Sequence, residues 1–179
     1  MTPASRPFPP PEWATALPAH LADLKLRRRA GELACLRRVL RSFPDLSTPA
    51  LRIVIPYARD RRPNAQDAAV LTAGLWAEFH SGYHDAVPGR GDLGQALRSL
   101  GPDDRDRLVQ AATRSGAPVV LRRNLSACIV ALAARGVAPE WARLHADIFA
   151  ILSGYPDDVW RRWLTGALLN PTDDETDEA

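Results

Sequence analysis

A dense group of arginines near the N-terminus is the part of the sequence best suited to bind an anionic ligand. Residues 24–42 read LKLRRRAGELACLRRVLRS and contain a single carboxylate, Glu32. Arginine presents a planar fork of donors that fits phosphate and stacks on aromatic rings. The ligand could be a membrane, a nucleic acid or an acidic protein, or these side chains could simply be solvated. The cationic residues of this stretch are Lys25, Arg27, Arg28, Arg29, Arg37, Arg38 and Arg41.

Two further pairs of arginines occur later in the chain. Arg61 and Arg62 close the segment Arg59-Asp60-Arg61-Arg62, which connects two predicted helices. Side chains in a connection are free to reach a ligand. Arg122 and Arg123 fall in the first turns of a long predicted helix, where long side chains can still reach solvent. Candidate anion-binding residues therefore recur in three places.

The net charge of +2 hides this basic character. Five carboxylates occupy residues 173–179, so residues 1–172 carry a net charge of +7. The cations are 22 arginines and one lysine, a bias that a GC-rich genome would also produce. Composition alone therefore does not separate a binding surface from a solvated one.

Cysteine usage and hydropathy indicate the compartment. Cys35 and Cys128 are far apart and have no C-x-x-C spacing, so we expect a reducing environment and no disulfide framework. Neither a signal peptide nor a membrane-spanning run is predicted. We expect a soluble, cytoplasmic protein.

Several tempting motifs have a structural explanation instead. The segment Gly89–Gly94 reads GRGDLG and matches G-x-G-x-x-G, but a proline-containing loop precedes it and no βαβ unit surrounds it. His80 and His84 have the i, i+4 spacing of metal ligands, yet Gly82 lies between them at a predicted helix end. No nucleophile-elbow motif is present. The sequence predicts no catalytic centre, no metal site and no cofactor.

Helical patterns dominate the chain, and the β-branched runs are short. Proline, glycine and capping residues predict an all-α fold, a compact bundle of about eight to nine helices in two small lobes. The loop of residues 81–91 is a candidate hinge. The predicted segments are a proline-rich disordered leader (1–11), a helical domain (12–169) with an N-terminal lobe (about 12–80) and a C-terminal lobe (about 92–169), and an acidic disordered tail (170–179).

Two finer expectations concern individual helices. Gly31 is expected to separate a first helix of about residues 12–28 from a second of about residues 32–42. The long helix of about residues 118–135 carries apolar residues on two sides. We therefore expect it to be the central helix, buried on most faces.

A helical projection divides the second helix into two arcs. With Leu33 at 0° and an advance of roughly 100° per residue, Leu36 and Leu40 fall at roughly 300° and roughly 340°. Arg37 and Arg38 fall at about 40° and about 140°, and Arg41 falls between them at about 80°. The apolar arc is typical of a core-facing side. The basic arc faces a nucleic acid or water.

The arcs also weigh against two other classes of function. A membrane-surface helix would need the apolar arc that the core requires, and this helix has only about three turns. A helix-turn-helix transcriptional regulator would need a recognition helix with mixed polar side chains for base edges. The polar arc offers only arginines, which favours phosphate contacts, and the regulator remains the alternative.

Four stretches together resemble the CasB family, the small subunit of the type I-E CRISPR surveillance complex Cascade. Their order and spacing carry the resemblance over about residues 20–169, since each motif alone is weak. The stretches are RAGELACLRR (29–38), DLGQALRSL (92–100), LRRNLSACIVAL (121–132) and VAPEWARLHADI (137–148) followed by VWRRW (159–163).

The resemblance implies an all-α protein without catalytic activity. Family members sit as a pair in the complex, hold the CRISPR RNA assembly together and line a basic groove for displaced, non-target DNA. The implied partners are the large subunit, the backbone subunits, a second copy of this chain, the CRISPR RNA, and the target and displaced DNA strands. Arg37 and Arg38 match the family's first paired arginine, Arg122 and Arg123 match the second, and Arg61 and Arg62 match only approximately. Arg28 is assigned to the same positive field without a family counterpart.

Two departures from the family pattern stand out. Asp92 replaces the small polar residue that usually opens the S-L-G-x-A-L element. Pro156, Asp157 and Asp158 place acid where relatives can carry basic residues. Basic contacts near the last helix therefore depend on Arg161 and Arg162, one turn further on.

Overall fold

The computed structural model describes residues 9–45 and 47–168, and this part of the chain is built from α helices without any strand. The predicted all-α bundle of eight to nine helices is confirmed. The sequence predictions for residues 1–8 and 169–179 lie outside the described residues. The helices are α1 (Glu12–Leu26), α2 (Ala30–Ser42), α3 (Thr48–Val54), α4 (Pro63–Phe79), α5 (Leu93–Leu97), α6 (Pro102–Ala112), α7 (Pro118–Ala133), α8 (Trp141–Leu152) and α9 (Asp157–Leu168).

The central helix is α4, which contacts α1, α2, α3, α7 and α8. Every residue from Ala68 to Ala77 is buried. Half of these ten residues are alanine or glycine, so neighbouring helices can pack closely on several sides. The expectation that α7 is the central helix is wrong, because Val119 and Val130 on its outer side are 47% and 55% exposed.

The crossing of α2 and α4 at Gly74 is a very close approach of two helices. A Cβ atom on Gly74 would lie 2.8 Å from Leu40 Cβ and 3.2 Å from the Leu36 carbonyl oxygen. Glycine is thus the residue that lets α2 lie directly on α4. Leu36 and Leu40 are buried in this contact, and Val39 is also buried, which turns the opposite side of α2 outward.

The break between α1 and α2 lies at Arg27–Arg29, so the prediction of a break at Gly31 is wrong. Gly31 is helical. The amides of Arg28 and Arg29 donate to the carbonyls of Lys25 and Leu24, at 3.0 and 2.9 Å. This pair of bonds is the Schellman pattern that ends many helices. Arg28 occupies its left-handed position with φ 54°, where glycine is usual.

Packing of α5 against α9 joins two of the sequence stretches singled out above. A Cβ atom on Gly94 would overlap the backbone carbonyl of Trp163, so only glycine allows this contact. Asp92 accepts a hydrogen bond from the Gln95 amide at 2.9 Å, and Gln95 Oε1 accepts one from the Asp92 amide at 3.1 Å. This reciprocal capping box begins α5. It gives Asp92, the departure from the family pattern, a structural role.

Aromatic contacts fix the start of α1 on α8. Trp13 packs edge-on against His145 and Phe149, with ring centroids 5.0 and 5.5 Å apart. The guanidinium carbon of Arg59 lies 4.8 Å from the Phe149 ring centroid and 5.5 Å from that of Trp13. Arg59 therefore contributes a cation–π contact to the fold. His145 has no solvent exposure, and its burial lowers its pKa to about 4.

The predicted lobes share one hydrophobic core. Buried apolar residues from Leu17 to Ala167 form a single cluster. The hinge candidate between the lobes is held by backbone hydrogen bonds, from Arg90 to the Ala138 carbonyl at 3.0 Å and from Glu140 to the Gly91 carbonyl at 2.9 Å. The division into two lobes stays a prediction. Among the described residues, no helix is long and apolar enough to cross a membrane.

Two glycine substitutions should have opposite effects on stability. Gly94→Ala forces α5 away from α9 and should lower the free energy of unfolding by about 3 kcal/mol, a value typical of overpacking. Gly31→Ala places a methyl group where no atom lies within 4 Å, so the better helix former should add about 0.5–1 kcal/mol. Urea denaturation of both variants measures the two changes. Equal stability of both variants would contradict this account of α5–α9 packing.

Acid should destabilise the fold through His145. Because the ordinary pKa of a histidine is 6.5 and folding lowers that of His145 to about 4, the unfolded chain binds the proton first. The free energy of unfolding therefore decreases as the pH falls from 6.5 towards 4. At pH 5 the decrease is about 2 kcal/mol. His145→Gln should remove this part of the loss in urea denaturation at pH 7.5 and 5.

The matched control is His84→Gln, since His84 is exposed. This variant should keep the pH dependence of the wild-type chain. An unchanged acid response in His145→Gln would exclude His145 as its source.

Candidate nucleic-acid interface

The outward side of α2 forms a basic cleft with the end of α4. Arg37 is half-buried, whereas Arg38 and Arg41 are exposed. The cleft has a volume of about 270 Å³ and is lined by Ala34, Arg37, Arg38, Arg41, Glu78 and Ser81. None of its three arginines has a carboxylate of the described residues within 4 Å. Their charges are therefore available to an external anion.

Arg122 reaches the end of α2 from α7. Its Nη1 atom lies 3.5 Å from the Leu40 carbonyl oxygen, near the end of α2. The last carbonyls of a helix carry partial negative charge, which stabilises cations placed beside them. The end of α2 therefore offsets part of the repulsion among the neighbouring arginines. Arg123, the next residue of α7, is exposed.

We call Arg37, Arg38, Arg41 and Arg122 the central basic surface. The structure brings Arg122 of one predicted pair to the end of the helix that carries the other pair, more than 80 residues away in sequence. Arg41 is an addition to the predicted site residues. The signal for it was present, because its projection at about 80° lies between those of Arg37 and Arg38.

The connection between α1 and α2 leaves only one of its arginines without a nearby carboxylate. Arg27 pairs with Asp23 at 2.8 Å, and Arg29 pairs with Glu32. Arg28 is exposed, lines a neighbouring cleft of about 500 Å³ and has no such partner within the described residues. Of the three adjacent arginines, only Arg28 therefore has a charge available to a ligand.

Lys25 has a structural contact with the end of α4. Its Nζ atom donates to the His80 carbonyl oxygen at 2.9 Å and holds the end of α4. Both ring nitrogens of His80 are hydrogen-bonded, one to the Trp76 carbonyl at 2.8 Å and one to the Val87 amide at 3.0 Å. Burial lowers the pKa of His80. The ring of His80 therefore has no nitrogen free for a ligand, whereas Lys25 lines the same cleft as Arg28 and keeps its charge.

Arg61 and Arg62 lie at the opposite end of α4 from the central basic surface. The 16 residues from Arg62 to Glu78 span about 24 Å of helix. Arg62 pairs with Asp60 at 2.6 Å, and this hydrogen-bonded contact lowers the pKa of Asp60. Arg61 is exposed and has no carboxylate within 4 Å in the described part of the chain. The predicted site residues thus form two separate basic regions.

The arginines of α9 do not form a third region. Arg161 pairs with Asp158 at 3.3 Å. Arg162 pairs with Asp147 and lies 3.8 Å from Asp92, which ties α9 to α8 and α5. Burial raises the pKa of Asp147 to about 6, although Arg162 favours its ionised form. Both arginines have local partners, so the last helix offers little available charge.

Two comparisons with known proteins bear on this arrangement. A sequence model of the family described as CRISPR-associated protein Cse2 matches residues 32–166, well over half of the chain. The chain belongs to the Cse2 family. This match confirms the predicted resemblance to the CasB family. A comparison with curated proteins found no match.

The Cse2 assignment agrees with the fold of a solved structure. The crystal structure of CasB from Thermobifida fusca superposes with a TM-score of 0.68 at 18% identity, covering 88% of this chain and 98% of that chain. At this identity the likeness concerns the fold. The Cse2 match includes the whole central basic surface and excludes Arg28.

Arg28 offers a test in which stability and binding change in opposite directions. Arg28→Gly removes the strain of a left-handed arginine and should raise the free energy of unfolding by about 1 kcal/mol. If Arg28 contacts nucleic acid, the same change should weaken single-stranded DNA binding about fivefold at about 0.1 M salt, the value for one phosphate contact. Urea denaturation and fluorescence anisotropy measure the two effects.

Arg28→Ala is the matched control because it removes the charge and keeps the Cβ atom. It should weaken binding equally and leave stability nearly unchanged. A glycine variant with wild-type affinity would remove Arg28 from the interface.

Proposed function

We propose that this protein is a non-catalytic small subunit of a type I-E CRISPR RNA-guided surveillance complex in antiviral defence. In this role it stabilises the guide RNA assembly and the R-loop by binding phosphates, chiefly those of the displaced non-target DNA strand. The observation that carries the proposal is the central basic surface. Membership of the Cse2 family supports the assignment to a CRISPR system.

Arginines that have no carboxylate within 4 Å and lie on a rigid frame suit a ligand with regularly spaced negative charges. Arg37, Arg38 and Arg41 project from one helix that is fixed on α4 by buried leucines. Bringing such cations together with one carboxylate in the cleft, Glu78, has an electrostatic cost, which a phosphate backbone would reduce. Binding of phosphates also releases counterions from the nucleic acid, which provides the driving force.

The side chains around this cleft favour phosphate contacts over base recognition. Apart from its arginines the cleft contains Ala34, Glu78 and Ser81. Sequence-specific proteins read base edges through hydrogen bonds from groups that enter a groove. A subunit that accepts any displaced strand needs the opposite property, since pairing with the guide RNA already selects the sequence.

The expected partners follow from this role. They are the large subunit, the backbone subunits, a second copy of this chain, the CRISPR RNA, and the target and displaced DNA strands. Such an assembly would work in the cytoplasm. Cleavage of the target would belong to another component.

Replacing the α2 pair should weaken binding to every sequence. The double variant Arg37→Ala/Arg38→Ala removes two phosphate contacts, each worth a slope of about 0.7 in log K against log salt on single strands. The affinity for single-stranded DNA should fall about 25-fold at about 0.1 M salt, and the slope should decrease by about 1.4. Fluorescence anisotropy with two 20-nucleotide strands of unrelated sequence measures both.

The control double variant is Arg107→Ala/Arg161→Ala, which removes the same charge. Both of these arginines are exposed and paired with carboxylates, at 2.8 and 3.3 Å. The control should change affinity less than threefold. Equal losses in both double variants would show that only net charge matters, and a sequence-specific footprint on duplex DNA would favour a helix-turn-helix regulator.

A further inference from the structure

The connection between α8 and α9 is a rigid turn. The amides of Gly154 and Tyr155 donate to the carbonyls of Ile151 and Ala150, at 3.1 and 3.0 Å. Gly154 has φ 87°, the left-handed conformation that this Schellman pattern requires. Pro156 follows and fixes the next backbone dihedral. The position of Tyr155 is therefore defined by its backbone.

The side chain of Tyr155 is not part of the hydrophobic core of the described chain. In a Schellman turn the residue at this position usually packs an apolar side chain on the preceding helix turn. The Tyr155 side chain is instead 75% exposed. The other described tyrosines differ, because Tyr57 Oη lies 3.0 Å from His20 Nδ1 and Tyr83 Oη donates to the Ala133 carbonyl. An exposed ring on a fixed backbone is available for a contact with another molecule.

A hydrogen bond places this turn beside the basic start of α4. Asn64 Nδ2 donates to Ser153 Oγ at 2.6 Å. Tyr155 lies two residues from Ser153, and Arg62 lies two residues from Asn64. The Cα atoms of residues two apart in sequence are within about 8 Å of each other. Arg61 precedes Arg62 and carries a charge without a carboxylate within 4 Å among the described residues. The hydrogen bond thus joins the two segments that carry the exposed ring and the available cation.

We propose that Tyr155 stacks on an unpaired base of single-stranded nucleic acid while Arg61 contacts a neighbouring phosphate. Proteins that bind single strands without sequence preference combine such aromatic platforms with cations along the backbone. The inference rests on the proposed function and adds a second contact region, distinct from the central basic surface. Stacking is compatible with any base, as a displaced strand requires.

The charges around Tyr155 define the side from which the strand approaches. Asp157 is exposed and has no cation within 4 Å among the described residues, and Asp158 pairs with Arg161 at 3.3 Å. These carboxylates repel phosphates on the α9 side of the ring. The backbone of the strand therefore runs over the start of α4, past Arg61. Asp157→Asn should accordingly strengthen binding.

Abasic DNA separates stacking from phosphate contacts. The full chain is titrated against a 20-nucleotide thymidine strand and an abasic strand of the same length, using fluorescence anisotropy. Tyr155→Ala should weaken binding of the thymidine strand roughly 5- to 150-fold, the range measured for loss of one stacked base. Its affinity for the abasic strand should stay unchanged. Arg61→Ala should weaken binding of both strands.

The matched control is Tyr155→Phe, which keeps the aromatic ring and should bind the thymidine strand like the wild-type chain. The proposal is overturned if Tyr155→Ala binds the thymidine strand normally, or if it loses affinity equally for both strands. Loss of co-purification with partner proteins together with unchanged DNA affinity would assign Tyr155 to a protein contact instead. Because Arg37 and Arg38 lie in the other region, their double variant tests the proposed function independently.

Discussion

The close contact between α2 and α4 is the constraint on which the arrangement of the basic surface depends. Gly74 allows Leu40 and the Leu36 carbonyl to approach α4 to a distance that no side chain would permit. This contact fixes the rotation of α2 about its own axis. Once Leu36 and Leu40 face α4, the geometry of about 3.6 residues per turn directs Arg38 and Arg41 outward.

The arginines of this chain divide into those that hold the fold and those that leave charge available. Arg162 joins α9 to buried acidic groups, and Arg59 packs on the rings of Trp13 and Phe149. The central basic surface has no such partners among the described carboxylates. Because arginine serves both purposes, its density along the sequence is a poor measure of binding potential. What matters is the distance from each guanidinium to the nearest carboxylate.

The stretches that carry the family resemblance are mainly packing elements. Gly94 is required by the backbone of Trp163, so the DLGQAL and VWRRW stretches are two sides of one contact. Asp92 differs from the usual residue and still caps α5. These constraints maintain the fold, which agrees with a structural likeness at 18% identity. A shared fold does not by itself define a function, since binding depends on the residues outside the core.

The sequence by itself determined the helical class, the family and the two arcs of α2, because periodicity and motif order can be read along one segment. It did not determine that α4 rather than α7 is central, since the exposure of Val119 and Val130 depends on what packs beside them. Only the tertiary structure decided which charges lie together. Arg122 reaches the end of α2 because both helices pack on α4. Arg61 lies at the far end of α4, where Asn64 is hydrogen-bonded to Ser153 in the turn before Tyr155. Each element's faces follow from its own sequence, whereas long-range distances follow from how the elements pack.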